Sequence, residues 1–128
     1  MRTTITRRVG TAATVAALTA SVLGLGAGSA SADQYVRLST THNVGLYTSP
    51  NTWSGKVIES ALTAGRDGVL ADCWTRGQDI NSNGNVWYHI TYAYWNVPGA
   101  FPYATSAYVY GAYVDNNATF HSGVLPPC

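Results

Sequence analysis

At 128 residues the chain is long enough for one domain with a modest core, and it carries 7 Lys+Arg against 6 Asp+Glu. Three of those cations, Arg2, Arg7 and Arg8, sit at the start, which leaves Arg37, Lys56, Arg66 and Arg76 scattered over the rest. Dispersed cations make no basic stripe, so a nucleic-acid partner is excluded.

The first element in chain order is an export signal. After the cationic start comes TAATVAALTASVLGLGAG, an uncharged apolar stretch, and then the small residues Ala30-Ser31-Ala32. This order of basic, apolar and small residues is that of a secretory signal peptide, with cleavage expected after Ala32. A membrane anchor is the competing reading. Gly24, Gly26 and Gly28 make a poor helix end, and no basic stop-transfer cluster follows. Cleavage would leave 96 residues, Asp33 to Cys128, with four cations against six acids and a net charge of −2. No later segment is apolar enough to span a bilayer. The expected location is extracellular, with cell-wall association as an extension of it, and no membrane contact after cleavage.

From Tyr35 onward, short runs of strand character follow one another, punctuated by Gly, Asn, Thr and Pro too often for long helices. YVRLST and VGLYT alternate apolar and polar residues. GKVIESALTAG is a strand that runs into a glycine turn. GVLADCW sets Val69, Ala71 and Cys73 against Leu70, Asp72 and Trp74 on opposite faces. VWYHITY groups Val86, Tyr88, Ile90 and Tyr92, and AYVYGAYV closes the set. Five or six short, mostly antiparallel strands predict an all-β barrel or sandwich. The two cysteines, Cys73 and Cys128, form an even pair in an exported chain and predict a disulfide. Closing a loop of about 56 residues would contribute roughly 4 kcal/mol in the chain-entropy model. The alternative, a catalytic thiol, is poorly served by Cys128 in a tail. That tail, Asp115 to Pro127, has little apolar content of its own, and the bridge is expected to hold it down.

Between two of these strands stands DINSNG, Asp79 to Gly84, the first half of a calcium loop. The second half is missing: the twelfth position, which should be a bidentate Glu, is Ile90. Asn and Gly also tolerate positive φ, as a strand-connecting loop requires, so a hairpin loop is predicted.

The blocks V-G-L-Y-T-S-P-N, G-K-V-I, L-x-x-G-x-x-G-V, C-W, V-W-Y-H-I and Y-A-T-S-A-Y-V stand in an order that resembles a bacterial SH3-like domain. Val44 to Pro50 matches the first family block, Lys56-Val57-Ile58 the second, Trp87 to Ile90 the third and Tyr103 to Val109 the last. An exported chain with a C-W pair and a C-terminal Cys is also similar to small secreted proteins of high-GC Gram-positive bacteria. The sequence departs from the pattern at Pro102-Tyr103, where the family has Gly-Trp, and in the segment AYWNVPGAFP, Ala93 to Pro102, which lengthens the last hairpin. The resemblance implies a small SH3-like barrel from about Tyr35 to Val114. It also implies a groove beside the first long loop that holds extended peptide, including cell-wall peptide. Tyr47, Trp53 and Tyr108 are the residues nearest to that groove.

Catalysis finds little support in the linear sequence. No G-x-S-x-G occurs, and His42, His89 and His121 lack metal-binding spacing. Asp67 and Asp79 fall in turns, where Asp caps backbone groups, and no acid pair for glycoside hydrolysis stands out. His89 reads as a surface or half-buried cross-strand residue rather than a base. Neither an enzyme nor a cofactor is expected. The rings carry the functional reading: four Trp, nine Tyr and two Phe, 15 of the 96 residues that follow Ala32. Trp74, Tyr88, Tyr92 and Tyr110 are expected in the core. Trp53 in its loop, with Trp95 and Phe101 in the Ala93–Pro102 segment, are candidates for display, where they would stack on a ligand. Two functions fit: a monomeric, non-catalytic module that binds peptidoglycan or another extracellular peptide, or a secreted protein–protein interaction partner such as a protease inhibitor.

Overall fold

The computed structural model describes residues 32–128, so the expected export signal falls outside the described residues. Among these, alternating side chains and tight turns build six strands: β1 Gln34–Arg37, β2 Val44–Tyr47, β3 Lys56–Leu62, β4 Gly68–Arg76, β5 Val86–Tyr94 and β6 Tyr103–Tyr110. They pair antiparallel in one open sheet of order β1-β4-β5-β6-β2-β3. The all-β expectation holds at this level. Two short helices follow, α1 Gly111–Asp115 and α2 Ala118–His121. No helix of the described residues is long and apolar enough to cross a membrane.

One face of the sheet carries the main core. Val69, Ala71, Tyr88, Ile90, Ala107, Val109, Leu46 and Leu62 are all fully buried there, joined by Val36 and Leu38. Each large aliphatic side chain so buried contributes about 1.5–3 kcal/mol of transfer free energy. A smaller cluster covers part of the opposite face: Trp87, Tyr110 and Ala112, flanked by Tyr47, Ile80, Tyr108 and Tyr113. The Trp87 indole Nε1 donates to Gln78 O at 2.9 Å, which satisfies its one polar atom and draws the β4–β5 loop over the ring.

Three irregularities in the ladders of β5 change which side chains share a face. Between β4 and β5, Leu70 opposes Tyr92 while Ala71 opposes Ile90, so Thr91 is an extra residue of β5; Cys73 then opposes His89, so Asp72 is an extra residue of β4. Between β5 and β6, Ile90 opposes Ala107 while Tyr92 opposes Ala104, so Thr105 and Ser106 together face Thr91. Such bulges shift the two-residue alternation by one. Trp74 therefore joins Val69 and Ala71 against the main core, and Cys73 moves to the other face. Past Thr91, Ala93 takes the buried position, and Tyr92, expected in the core, is 38% exposed.

The segment AYVYGAYV is also not a single strand. It leaves the sheet at Tyr110, and Gly111 to Asp115 turn as α1. Asn116 and Asn117, with φ of 55° and 60°, then redirect the chain into α2. The tail packs more than its composition suggested. Phe120 meets Trp74 edge to face at 4.8 Å, and Leu125 is buried. Buried Asp115 accepts from Tyr88 OH at 2.9 Å and from Thr119 N at 2.8 Å, while Phe120 N donates to the same phenol at 3.1 Å. Burial, then the charge of Asp115, push the Tyr88 phenol well above its ordinary value. The tail ends beside β4: Trp74 N donates to Pro126 O at 3.0 Å and Cys128 N to Trp74 O at 2.8 Å. Cys73 and Cys128 form the expected disulfide, with Cα atoms 4.9 Å apart.

Candidate functional site

The β2–β3 connection, residues 48–55, and the β4–β5 loop, residues 77–85, lie side by side and are stitched together. Gln78 N donates to Pro50 O at 2.9 Å, and Gln78 Oε1 accepts from both N and Oγ1 of Thr52 at 2.8 Å. Gly77 permits this approach, because a Cβ there would clash with the Pro50 carbonyl. In the second loop Asn81, Ser82 and Gly84 take positive φ, at 53°, 60° and 95°. The DINSNG stretch is thus a connection between two strands.

Two phenols hold that loop from below. Tyr110 OH donates to Gly84 O at 2.6 Å and accepts from Ile80 N at 3.3 Å, while Asn81 Nδ2 donates to Tyr113 OH at 2.9 Å. Burial pushes the Tyr110 phenol above its ordinary value, and the nearby Asp79 charge acts in the same direction. Beside Tyr47 opens a cavity of about 170 Å³ bordered by Asn43, Thr52, Ile80, Tyr110 and Tyr113, so each of the two loops contributes one residue to it. The Tyr47 ring lies over Gly45, where a Cβ would stand 2.9 Å from Cε2, and meets the Trp87 ring edge-on at 5.9 Å. Across Tyr113, a second depression of about 340 Å³ is lined by His42, Asn83 and Asn116 among others. His42 stacks flat on Tyr113 at 4.0 Å, and Thr40 Oγ1 donates to the Tyr113 carbonyl. Tyr113 borders both hollows, and with Tyr47 and Tyr110 it makes the smaller one a ring-lined groove.

The four nominated binding residues divide. Tyr47 lines the groove. Tyr108 is its register partner on β6, half-buried, with its ring edge-on to His89 at 5.1 Å. Trp53, 74% exposed, follows Thr52 in the bordering loop. Trp95 stands apart, beyond the far end of β5. Its indole Nε1 donates to Ala61 O at 3.2 Å, its ring meets Tyr103 edge-on, and it packs against the main core. Tyr113 and Ile80 border the groove without having stood out in the sequence, and Tyr110, expected in the core, is indeed buried but also borders it. The alternation of Tyr108 and Tyr110 on one strand was a usable signal; Tyr113, on a helix, offered none.

A second arrangement was not visible in the linear sequence. His89 Nδ1 lies 2.6 Å from Asp72 Oδ1, and His89 Nε2 lies 2.9 Å from Ser106 Oγ. Asp72 and Cys73 sulfur with His89 also form a compact set of potential ligand atoms, but that sulfur is committed to the disulfide. No family model, curated protein or solved structure matches the chain.

Proposed function

We propose that the protein is an exported, SH3-like binding module that holds an extended peptide, from the cell wall or another extracellular source, in the groove bordered by Tyr47, Thr52, Ile80, Tyr110 and Tyr113. The carrying observation is the ring-paved groove itself: Tyr47, Tyr110 and Tyr113 are fixed by their own packing and hydrogen bonds, so few rotamers are lost when a ligand stacks on them. The disulfide Cys73–Cys128 fits an oxidising, extracellular setting. The ordered SH3-like sequence blocks and the six short antiparallel strands support the barrel reading of the fold.

Retention on purified cell wall, and titration with soluble peptidoglycan peptides, tests the proposal. Tyr47→Ala and Trp53→Ala should each weaken binding by roughly 1–3 kcal/mol, with melting temperature little changed for the exposed Trp53. Equal retention of wild type and both folded variants would place the ligand elsewhere. A second reading, a secreted inhibitor of another protein, is favoured by one observation: Phe101, 87% exposed, and Val97 project from the loop after β5. Inhibition of a secreted protease that disappears in Phe101→Ala, with no cell-wall retention, would select it.

A further inference from the structure

We propose that Asp72, His89 and Ser106 form a nucleophilic acyl-transfer site for small esters, an activity separate from the groove's binding role. Both ring nitrogens of His89 are engaged, Nδ1 by the Asp72 carboxylate at 2.6 Å and Nε2 by the Ser106 hydroxyl at 2.9 Å. A carboxylate only accepts, so it assigns the hydrogen to Nδ1 and leaves the Nε2 lone pair facing the serine. That is the tautomer in which imidazole can take a proton from the hydroxyl, and the distances lie within the reach of an activated nucleophile.

Regular pairing would not produce this set. The residues directly opposite His89 are Cys73 and Tyr108. The bulge at Asp72 in β4 brings the carboxylate to the imidazole on the face that also carries Cys73, while Ser106, two residues before Tyr108 on β6, reaches Nε2 from the other neighbouring strand. Bulges re-aim side chains, and each costs ladder hydrogen bonds. The surroundings also limit motion: the Tyr108 ring stands edge-on to the imidazole, and Cys73 next to Asp72 is tied into the disulfide.

Accessibility suits a nucleophile. Ser106 is exposed, whereas the His89 and Asp72 side chains keep 19% and 33% of their surface. The site lies on the open sheet face with the half-buried Tyr108 ring as its wall, which fits an ester of a small acyl group with an aryl alcohol. In the reaction Ser106 Oγ bonds to the acyl carbon as its proton passes to His89 Nε2. The bond to the alcohol then breaks, and the alcohol leaves with that proton. Water, deprotonated by the same nitrogen, attacks the acyl-serine and releases a carboxylic acid, which restores Ser106. Asp72 acts as a positioning residue, keeping the ring oriented and balancing the imidazolium.

Diisopropyl fluorophosphate and p-nitrophenyl acetate are the probes, applied to the purified, disulfide-intact protein. Peptide mapping should find the phosphoryl adduct on Ser106 at a rate at least about 100-fold above exposed Ser60 and Ser82 of the same molecules, the scale of general-base assistance. His89→Gln should remove that advantage and p-nitrophenyl acetate turnover, Asp72→Asn should lower both, and exposed Ser106→Ala should abolish both without changing the melting temperature. Labelling of Ser106 no faster than of Ser60 and Ser82 overturns the proposal, whatever the variants do. So does selective labelling that survives unchanged in folded His89→Gln.

Discussion

Asp67 is a buried charge surrounded by hydrogen-bond donors. It is fully buried in the turn between β3 and β4. Its carboxylate accepts from Thr63 N at 2.7 Å, Asn96 N at 2.9 Å, and Arg66 Nε and NH2 at 2.7 and 2.9 Å. Burial alone would raise this carboxyl, but the Arg66 and backbone donors outweigh it and hold Asp67 below its ordinary value. A depressed carboxyl stabilises the fold above its unfolded value, about 3.9, and loses that contribution as pH falls through the lower folded value. Asp67→Asn should therefore cost about 2 kcal/mol at pH 7 and flatten the acid limb below about pH 4, read from urea midpoints across pH. The sequence showed Asp67 in a capping turn. Its bond to Asn96, 29 residues away, was invisible, because a turn signature is local and the partner arrives through tertiary structure.

At the scale of elements, the placing of Thr52 and Ile80 at the groove depends on the contact between residues 48–55 and 77–85. Gly77→Ala should force the two loops apart, since a methyl group cannot share space with the Pro50 carbonyl. Amide exchange at Thr52 and Gln78 should then accelerate, peptide retention should fall, and the β4–β5 ladder should keep its protection. The strands and the DINSNG connection were legible because alternation and turn chemistry are written locally. The bulges were not. An extra residue at Asp72 or Thr91 leaves no mark in a hydrophobic pattern, yet it moves Trp74 inward, Tyr92 outward and Asp72 onto His89. Five residues of α1 are likewise too few to display a helical period, so GAYVD read as strand.

For the whole molecule, the disulfide joins residues 55 apart and fixes a tail that also packs through Phe120 and Leu125. Cys128→Ser should lower the melting temperature by about 10 °C or more, since a native bridge contributes roughly 2–4 kcal/mol and a domain of this size shifts by about 4–8 °C per kcal/mol. Calorimetry with and without reductant checks this, and thiol titration of the denatured, unreduced protein should find no free cysteine. The pairing was readable from an even cysteine count. The tail's own packing was not, because Phe120 and Leu125 are spaced too irregularly to predict the surface they meet.

The short pairing of residues 126–128 with Trp74 has a further consequence. β1 covers β4 only from Gly68 to Ala71, and farther along the strand it is the tail that occupies the backbone groups of Trp74. An uncovered strand edge is a template for another chain, so the oxidised bridge also acts as a cover against edge-to-edge polymerisation. Reduction of the bridge would then threaten solubility as well as stability.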